Sequence, residues 1–256
     1  MSLSLLISAL ALPPESRVDQ RIPKKLLVEQ SDATAADKRL LQDGIEELNW
    51  IAALKPVNVG VPEYRDDVRE YLEIAVLSAT LRNAAKTRVA ELIHRAIPYP
   101  VILIAVQGED CTLTLVHKRW SQGETGKVVI EELQSTGALR LEPKSEESLF
   151  LESLALSALP RSDLFALYQG WIDCITALEA ARITGSFAAL PSSDRGSDLR
   201  KGLEAHTRLQ RDISLMRAQA AREKQMSRRV ELNVEIRRLE AKLAETIANL
   251  QSVGPQ

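Results

Sequence analysis

The C-terminal part of the chain is one long stretch of helical sequence, and its length restricts the folds open to the whole protein. It runs from about residue 197 to residue 251. At 1.5 Å per residue, a continuous helix over this stretch would be roughly 80 Å long. That exceeds the diameter of a globular core built from 256 residues. The segment must therefore project from the core or fold back on itself.

Apolar side chains in this stretch follow the spacing of a coiled coil. On a helical wheel they form one narrow seam, with successive intervals of four, three, four, four and three residues. The seam consists of Leu232, Ile236, Leu239, Leu243, Ile247 and Leu250. Met226, Val230 and Val234 widen the apolar surface at its upstream end. The pattern predicts a long coiled-coil-like helix that packs against another helix.

Polar residues run through the widened part of this apolar surface. Between residues 199 and 240 there are eleven Lys and Arg against six Asp and Glu, a local surplus of positive charge. A polar file runs inside the apolar arc and is flanked by two further arginines. The file is Arg222, Arg229, Asn233 and Arg237, and the flanking residues are Arg228 and Arg238. We predict that these six residues contact a partner or nucleic acid.

Three arrangements would satisfy such a file, because a buried polar row without partners is costly. It could form a register-setting polar layer inside a helical hairpin. It could meet acidic groups of a partner protein, or it could face a phosphate backbone. Glu231 and Glu235 on the opposite side weaken the phosphate alternative. We therefore interpret the segment first as a helix–helix element.

The earlier part of the chain alternates between helical and strand patterns. An amphipathic helix is predicted over 84–97. Strands are predicted over 47–56, 70–81, 101–107, 111–119 and 127–134. This order predicts an α+β fold with a mixed or antiparallel sheet and flanking helices. We place this domain at residues 1–148, a helical segment packed on it at 149–190, and the long helical arm at 191–256.

Composition and motifs exclude several functional classes. The formal net charge is −2, so no global field draws the chain to nucleic acid or to an anionic membrane. No apolar stretch reaches the length of a membrane span, and we predict no membrane association. The chain has neither a phosphate-binding G-x-x-x-x-G-K-[ST] loop nor a dinucleotide-binding G-x-G-x-x-G motif. We therefore predict no ATP hydrolysis and no bound cofactor.

Cysteines and histidines are too scattered to indicate a catalytic or metal site. Cys111 and Cys174 form no close pair, which predicts reduced thiols that pack as small hydrophobic groups in a cytoplasmic protein. His94, His117 and His206 are far apart, and no nucleophile elbow accompanies them. We interpret the histidines as structural or surface residues, and we predict no metal.

One alternative reading is a metal-dependent nuclease. Such sites need an acidic residue, followed on the next strand by an acid two positions before a lysine. The candidates here are Asp66 or Asp67 for the first acid, followed by Glu73, and we take Asp67 and Glu73 as the pair. Ala75 stands where the lysine belongs. The pattern therefore predicts at most a degenerate or unusual nuclease, and a solvated Glu73 on a sheet face is the simpler interpretation.

Three stretches together resemble a known family. They are the segment from Ile22 to Pro56, the segment YQGWIDCITALEAARITGSF from Tyr168, and the segment EKQMSRRVELNVEIRRLE from Glu223. In this order they resemble the bacterial family of unknown function DUF4391, over nearly the whole chain. Members are commonly encoded beside a superfamily-two helicase and a DNA methyltransferase in restriction-like or phage-defence loci. The resemblance brings no catalytic residues.

The resemblance implies an accessory subunit that works with larger DNA-handling proteins. Our first hypothesis is accordingly a non-catalytic adaptor of an antiviral system, docked through its helical arm onto a helicase or a DNA methyltransferase. The second hypothesis is the nuclease that uses Asp67 and Glu73. A third is direct binding of nucleic acid without cutting. The C-terminal helix would also serve for pairing with a second copy of the chain.

Overall fold

The computed structural model describes residues 3–30, 33–82, 86–124, 127–139, 145–190 and 193–252. The chain divides into two compact units, residues 1–175 and residues 176–256. The helices are α1 (Leu3–Ala9), α2 (Lys24–Gln30), α3 (Ala35–Gly44), α4 (Pro56–Val59), α5 (Lys86–Ala96), α6 (Ser145–Ser153), α7 (Leu164–Thr184), α8 (Ser193–Arg222) and α9 (Met226–Ser252). The strands are β1 (Arg17–Arg21), β2 (Ile45–Leu54), β3 (Tyr64–Arg65), β4 (Glu70–Tyr71), β5 (Ile74–Leu81), β6 (Val101–Gln107), β7 (Asp110–Leu115), β8 (Lys118–Trp120), β9 (Val128–Ile130) and β10 (Gln134–Ser135).

A six-stranded mixed sheet organises the first unit, with the strand order β1-β2-β5-β6-β7-β10. β5 and β6 are parallel, and the other neighbouring strands are antiparallel. α5 connects the two parallel strands, since a parallel pair needs a crossover instead of a hairpin. A mixed sheet with helices, followed by the long helices α8 and α9, confirms the predicted α+β fold class.

The central strands are apolar because they lie inside the unit. Residues 101–104 of β6 are fully buried, as predicted for a central strand. Helices α2, α3 and α5 contribute to one apolar cluster with the sheet, through side chains such as Leu27, Leu41 and Ile93. The 3.6-residue period of the helices and the continuous apolar run of β6 therefore meet in one core.

The predicted strand over 70–81 is divided in the structure. Glu70 and Tyr71 pair with β3 in a separate two-stranded hairpin. β5 begins only at Ile74, where pairing with β2 starts, and pairing with β6 starts at Ala75. Leu72 and Glu73 lie between the two strands and belong to neither. The prediction of Glu73 on a sheet face is therefore wrong in detail.

The predicted strand over 111–119 is also divided, into β7 and β8, around Val116. The hydroxyl group of Tyr168 accepts the N–H of Val116 at 3.0 Å. The same hydroxyl lies 2.7 Å from the carbonyl oxygen of Val101 and 3.1 Å from that of Val116. A side chain thus satisfies the backbone of Val116 in place of a neighbouring strand, so the chain can leave the sheet there.

The segment predicted as a strand over 127–134 does not join the main sheet as a whole. Its first part forms β9, which pairs only with β8 in a two-stranded sheet. The main sheet receives just the two residues of β10 at its edge. The sequence of residues 127–134 lacks strict alternation of apolar and polar residues, and it forms short strands with few ladder hydrogen bonds.

The long C-terminal stretch folds back on itself. α8 ends at Arg222 and α9 begins at Met226, with the N–H of Gln225 donating to the Glu223 carboxylate at 2.8 Å in the turn. Ile213 and Ala220 of α8 are buried with Ile236 of α9. The helices are therefore antiparallel, each about 40–45 Å long. Of the two alternatives predicted for this stretch, the hairpin is confirmed.

The seam residues predicted from the wheel form the hairpin interface. Ile236 and Leu250 are buried, and the other four seam residues are half-buried. Near the open end of the hairpin, Gly202 of α8 lies so close to Leu250 that an added Cβ would be 2.7 Å from the leucine Cδ2. An ion pair between Arg217 and Glu240, at 2.6 Å, adds a polar contact between the helices. The coiled-coil spacing therefore predicted the correct contact line.

The sequence predicts reduced cysteines and no membrane-spanning segment. Cys111 and Cys174 are both buried, and neither forms a disulfide. Burial raises the pKa of the Cys174 thiol to about 11, so it packs as an unreactive small group.

Among the helices in the described part of the chain, none has the length and apolar content needed to cross a membrane.

Candidate functional site

The six predicted contact residues lie around the turn of the helical hairpin and along the first half of α9. All six are exposed: Arg222, Arg228, Arg229, Asn233, Arg237 and Arg238. They therefore do not form a buried register-setting layer inside the hairpin, and that alternative is wrong. The physical reason is that α8 covers only the narrow leucine seam of α9. The file beside the seam is left for water or another molecule.

Arg222 does not belong to the same file as the other residues. It is the last residue of α8, whereas Arg229, Asn233 and Arg237 lie on α9. The sequence wheel joined them because it assumed one continuous helix through residues 223–225. The turn at these residues separates them, so the file on α9 contains three of the four predicted residues.

The arginines fall into two groups according to their partners. Arg228 pairs with Glu231 at 2.7 Å, and Arg238 pairs with Glu235 at 3.7 Å. Successive residues of a helix point about 100° apart, which places these pairs away from the file. The flanking arginines are therefore neutralised on their own side of α9.

The arginines of the file have no carboxylate partner. The side chain of Arg237 makes no hydrogen bond or ion pair with any residue that the structure describes, and the same holds for the side chains of Arg222 and Asn233. The guanidinium of Arg229 contacts only the sulfur of Met226, at 3.1 Å. Positive charge on this side of α9 is consequently left uncompensated within the described chain.

Exposed apolar side chains lie directly beside this charge. Met226, Val230 and Val234 are 63%, 54% and 62% exposed, whereas Ile236 in the seam is 7% exposed. They are spaced by four residues and thus line one side of the helix. Together with the file they form a surface that we name the arginine–valine face. It consists of Met226, Arg229, Val230, Asn233, Val234 and Arg237.

The two residues of the nuclease alternative are not brought together by any contact. Asp67 is exposed in the turn between β3 and β4. Glu73 forms an ion pair with Lys55 at 3.2 Å. Ala75, at the position where a lysine would be required, is 1% exposed in the core. The described residues contain no group of three or more His, Cys, Asp or Glu side chains that could hold a metal ion.

Asp66, the neighbour of Asp67, has a structural role instead. Its carboxylate accepts the N–H groups of Val68 and Arg69 at 2.8 and 2.7 Å and the hydroxyl of Tyr64 at 2.7 Å. These hydrogen bonds, chiefly that from Tyr64, lower the pKa of Asp66. The carboxylate fixes the tight turn between β3 and β4 and is already fully engaged.

Sequence reasoning missed an open cavity of about 350 Å³ in the first unit. Its walls come from the segments 69–73, 98–99 and 118–120 and from Val128. These segments are separated in sequence and lie on strands and loops of different elements. Only the adjacency of a lysine, an arginine and a tryptophan at 118–120 gave any signal, because basic and aromatic side chains often line ligand sites.

Lys118 holds one wall of this cavity in place. The carbonyl of His94, near the end of α5, lacks its usual helical donor because residue 98 is a proline. The buried Lys118 ammonium donates to the carbonyl oxygens of His94 at 2.8 Å and Tyr99 at 2.7 Å, and also to that of Ile97. Burial lowers the pKa of Lys118 to about 7. The three acceptors oppose this shift, since only the protonated amine has three N–H groups.

Hydrogen bonds confirm structural roles for two of the histidines. The Nε2 of His94 lies 3.1 Å from the Thr114 hydroxyl, and its ring is fully buried. Burial, followed by the charge of Lys118, lowers the pKa of His94 to about 3. His117 is held between the Tyr71 hydroxyl at 2.5 Å and the Gln169 amide oxygen at 2.8 Å. Neither imidazole is free to act on a substrate.

Comparison with known proteins gives a family but no characterised relative. A family model described as Domain of unknown function (DUF4391) matches residues 10–243 of the 256-residue chain. No curated protein matches the chain. No solved structure matches it either. The match extends from before β1 into the second half of α9, and it therefore includes the arginine–valine face. Because the family model covers most of the chain, the chain belongs to the DUF4391 family.

Proposed function

We propose that this chain is a non-catalytic subunit that docks onto a larger protein through the arginine–valine face. The observation that carries the proposal is the juxtaposition on α9 of three exposed apolar side chains and two arginines without carboxylate partners. Isolated exposed apolar residues are ordinary on protein surfaces. Three in succession along one side of a helix, next to unpaired charge, match the way helices are recognised in grooves.

The apolar part of the face supplies affinity. Met226, Val230 and Val234 each keep more than half of their surface in water. Burying the remaining surface of such side chains stabilises a complex by about 1 kcal/mol each, or about 3 kcal/mol together. The leucine seam is already occupied by α8 and cannot serve the same purpose. A partner must therefore offer a shallow apolar groove beside α9.

The charged part of the face selects the partner. Arg229 and Arg237 lie one above the other beside the apolar residues, and no carboxylate of the described chain neutralises them. An acidic rim on the partner groove would complement them and would accelerate association at low salt. Reversing the two charges should therefore discourage docking without disturbing the hairpin seam.

A helicase or a DNA methyltransferase of an antiviral system is the partner class that we propose. This assignment rests on the resemblance of the chain to a family commonly encoded beside such enzymes in phage-defence loci. In this arrangement the chain is a cytoplasmic accessory subunit and contributes no chemistry itself.

Co-purification with a matched control tests the proposal. The tagged chain is co-expressed with a candidate helicase or methyltransferase from its own genome, and the mass of the complex is measured. Arg229→Glu/Arg237→Glu should abolish co-purification, while Arg228→Glu/Arg238→Glu changes the same charges on the other side of α9 and should retain it. Circular dichroism checks that both variants remain folded. Equal co-purification of the two variants would refute the docking surface, and a mass of two chains would assign the face to a homodimer.

The same unpaired cations favour a second candidate function, direct binding of nucleic acid. Arg222, Arg229 and Arg237 are exposed around one end of the hairpin. Three phosphate contacts would give a slope of about −2.7 for the logarithm of affinity against the logarithm of salt concentration on duplex DNA. Fluorescence anisotropy with labelled duplex at several salt concentrations measures this slope. A flat response would dismiss this candidate and leave protein docking in place.

A further inference from the structure

The cavity in the first unit has the size and boundary of a small-molecule site. Its volume is about 350 Å³, within the range of about 300–1,000 Å³ that ligand pockets occupy. The segment 98–99 on its wall is tied to β8 by Lys118, which donates to the carbonyl oxygen of Tyr99 at 2.7 Å. The opposite wall is joined to β8 by the N–H of Trp120, which donates to the carbonyl oxygen of Val68 at 2.8 Å. The cavity is therefore preformed by one side-chain and one backbone hydrogen bond to β8.

The carboxylates on the wall are already neutralised from outside the cavity. Glu70 pairs with Arg65 at 2.9 Å. Glu73 pairs with Lys55 at 3.2 Å. Neither Arg65 nor Lys55 lines the cavity, so each carboxylate is held by a cation that lies outside the wall. A cationic ligand would consequently find both carboxylates in use.

The cations on the wall are not neutralised in the same way. Arg69 pairs with Glu131 at 3.1 Å, but Lys118 contacts only backbone carbonyls. Arg119 makes no ion pair within the described part of the chain, and its guanidinium meets only the Trp120 carbonyl oxygen, at 3.5 Å. Arg119 is thus a positive charge without a carboxylate, and the buried Lys118 adds a second charge only where it is protonated. The field at the cavity favours an anion.

Apolar and aromatic groups make up the rest of the wall. Trp120 and Tyr99 are half-buried there, next to Leu72, Pro98 and Val128. A tryptophan beside an arginine is the combination on which flat aromatic rings stack. An inorganic anion would leave this aromatic surface unused, whereas an apolar ligand would leave the charge of Arg119 unused. A flat aromatic ring that carries an anionic group uses both.

We propose that this cavity binds a single nucleotide, with the base against Trp120 and Tyr99 and the phosphate near Arg119. The proposal is independent of the docking function of α9, because the residues that carry it lie in the first unit. A free nucleoside monophosphate and the 5′-terminal nucleotide of a strand share the same chemistry. Lys118 is a positioning residue that holds Tyr99 through its carbonyl oxygen.

Isothermal titration calorimetry with the full chain tests the proposal. The four common nucleoside 5′-monophosphates are titrated first, and then the corresponding nucleosides and inorganic phosphate. At least one monophosphate should bind saturably, and its nucleoside and phosphate alone should each bind at least about tenfold more weakly. A short 5′-phosphorylated single strand, titrated in parallel, reports whether a strand end is bound as well as the free nucleotide. Absence of saturable binding by all monophosphates at millimolar concentration would overturn the site.

Two variants assign the binding to this cavity. Arg119→Gln should weaken binding at least about tenfold, and Arg119→Lys should recover part of the loss because it restores the charge. Both replace a half-buried side chain without a structural ion pair, so the fold is expected to persist. Arg39→Gln is the control, because Arg39 is exposed on α3 and does not line the cavity, and it should leave nucleotide affinity unchanged. Unchanged affinity in Arg119→Gln would place the nucleotide elsewhere and refute the proposal.

Discussion

Replacing Lys118 with methionine should destabilise the first unit more than any surface lysine change. Methionine retains the length and apolar stem of lysine but removes the three N–H donors that end α5. The carbonyl of His94 cannot recover a helical partner, because Pro98 has no N–H. Each buried carbonyl left without a donor costs about 1–3 kcal/mol.

The expected net loss is smaller than the sum of three carbonyls. Removing Lys118 also removes the cost of burying a cation, which is several kcal/mol before its hydrogen bonds are counted. Water that enters from the adjoining cavity would satisfy part of the backbone. We therefore expect the free energy of unfolding to fall by about 2–4 kcal/mol, between the value for one orphaned carbonyl and that for three.

Urea denaturation followed by circular dichroism measures this loss. Lys25→Met is the matched control, because Lys25 is exposed and makes only an i,i+4 pair with Glu29 at 3.3 Å. Such a pair contributes less than about 0.5 kcal/mol. A loss in Lys118→Met no larger than in Lys25→Met would show that the carbonyls at the end of α5 do not depend on the ammonium. The reasoning on Lys118 would then be wrong.

Three further predictions concern other parts of the chain. Burial lowers the pKa of His94 from 6.5 in the unfolded chain to about 3 in the folded protein. As the pH falls from 6.5 towards 3, the unfolded state therefore binds a proton at His94 and the folded state does not. Stability should then fall by about 1.4 kcal/mol per pH unit, and His94→Gln should remove this slope from urea midpoints measured across the range. Gly202→Ala should lower the melting temperature despite better helix propensity, because its Cβ would lie 2.7 Å from Leu250, and Leu250→Ala should make the same change harmless. When the protein is incubated with plasmid and Mg²⁺ or Mn²⁺, we expect no plasmid cleavage that depends on Glu73, because Glu73 is paired with Lys55. Cleavage by the wild type that is lost in Glu73→Ala would restore the nuclease hypothesis.

Periodicity predicted the elements whose environment is decided locally. Residues 101–107 are apolar on both sides and became the central strand β6. The leucine seam of α9 predicted the line of contact in the hairpin. In both cases the spacing of apolar residues matches the period of one element, and burial of that side follows directly.

Errors arose where a distant side chain decides the backbone. The alternation in 111–119 predicts one strand, but the Tyr168 hydroxyl, 52 positions away from Val116, ends the pairing. The turn at residues 223–225 has helix-forming residues, so a wheel drawn through it wrongly aligned Arg222 with α9. A pattern read along one segment contains no information about a partner from another segment.

The candidate sites show the same division. The arginine–valine face was predictable because its six residues lie on one helix within twelve positions. Its exposure was not, because the width of the surface that α8 covers cannot be read from the spacing along α9. The cavity was not predictable at all, because Arg69, Tyr99, Trp120 and Val128 come from segments joined only by the fold of the sheet.

The division of α9 into two sides explains why a hairpin should keep its valines exposed. The seam from Leu232 to Leu250 is sufficient to pair α9 with α8, so the hairpin does not need Met226, Val230 or Val234 for its stability. Exposed apolar residues next to a turn would promote unspecific association. Arg229 and Arg237 on the same face oppose this association, because two copies of the face would bring like charges together. The same charges admit an acidic surface, and this selectivity is the reason to favour a different protein over a second copy as the occupant of the face.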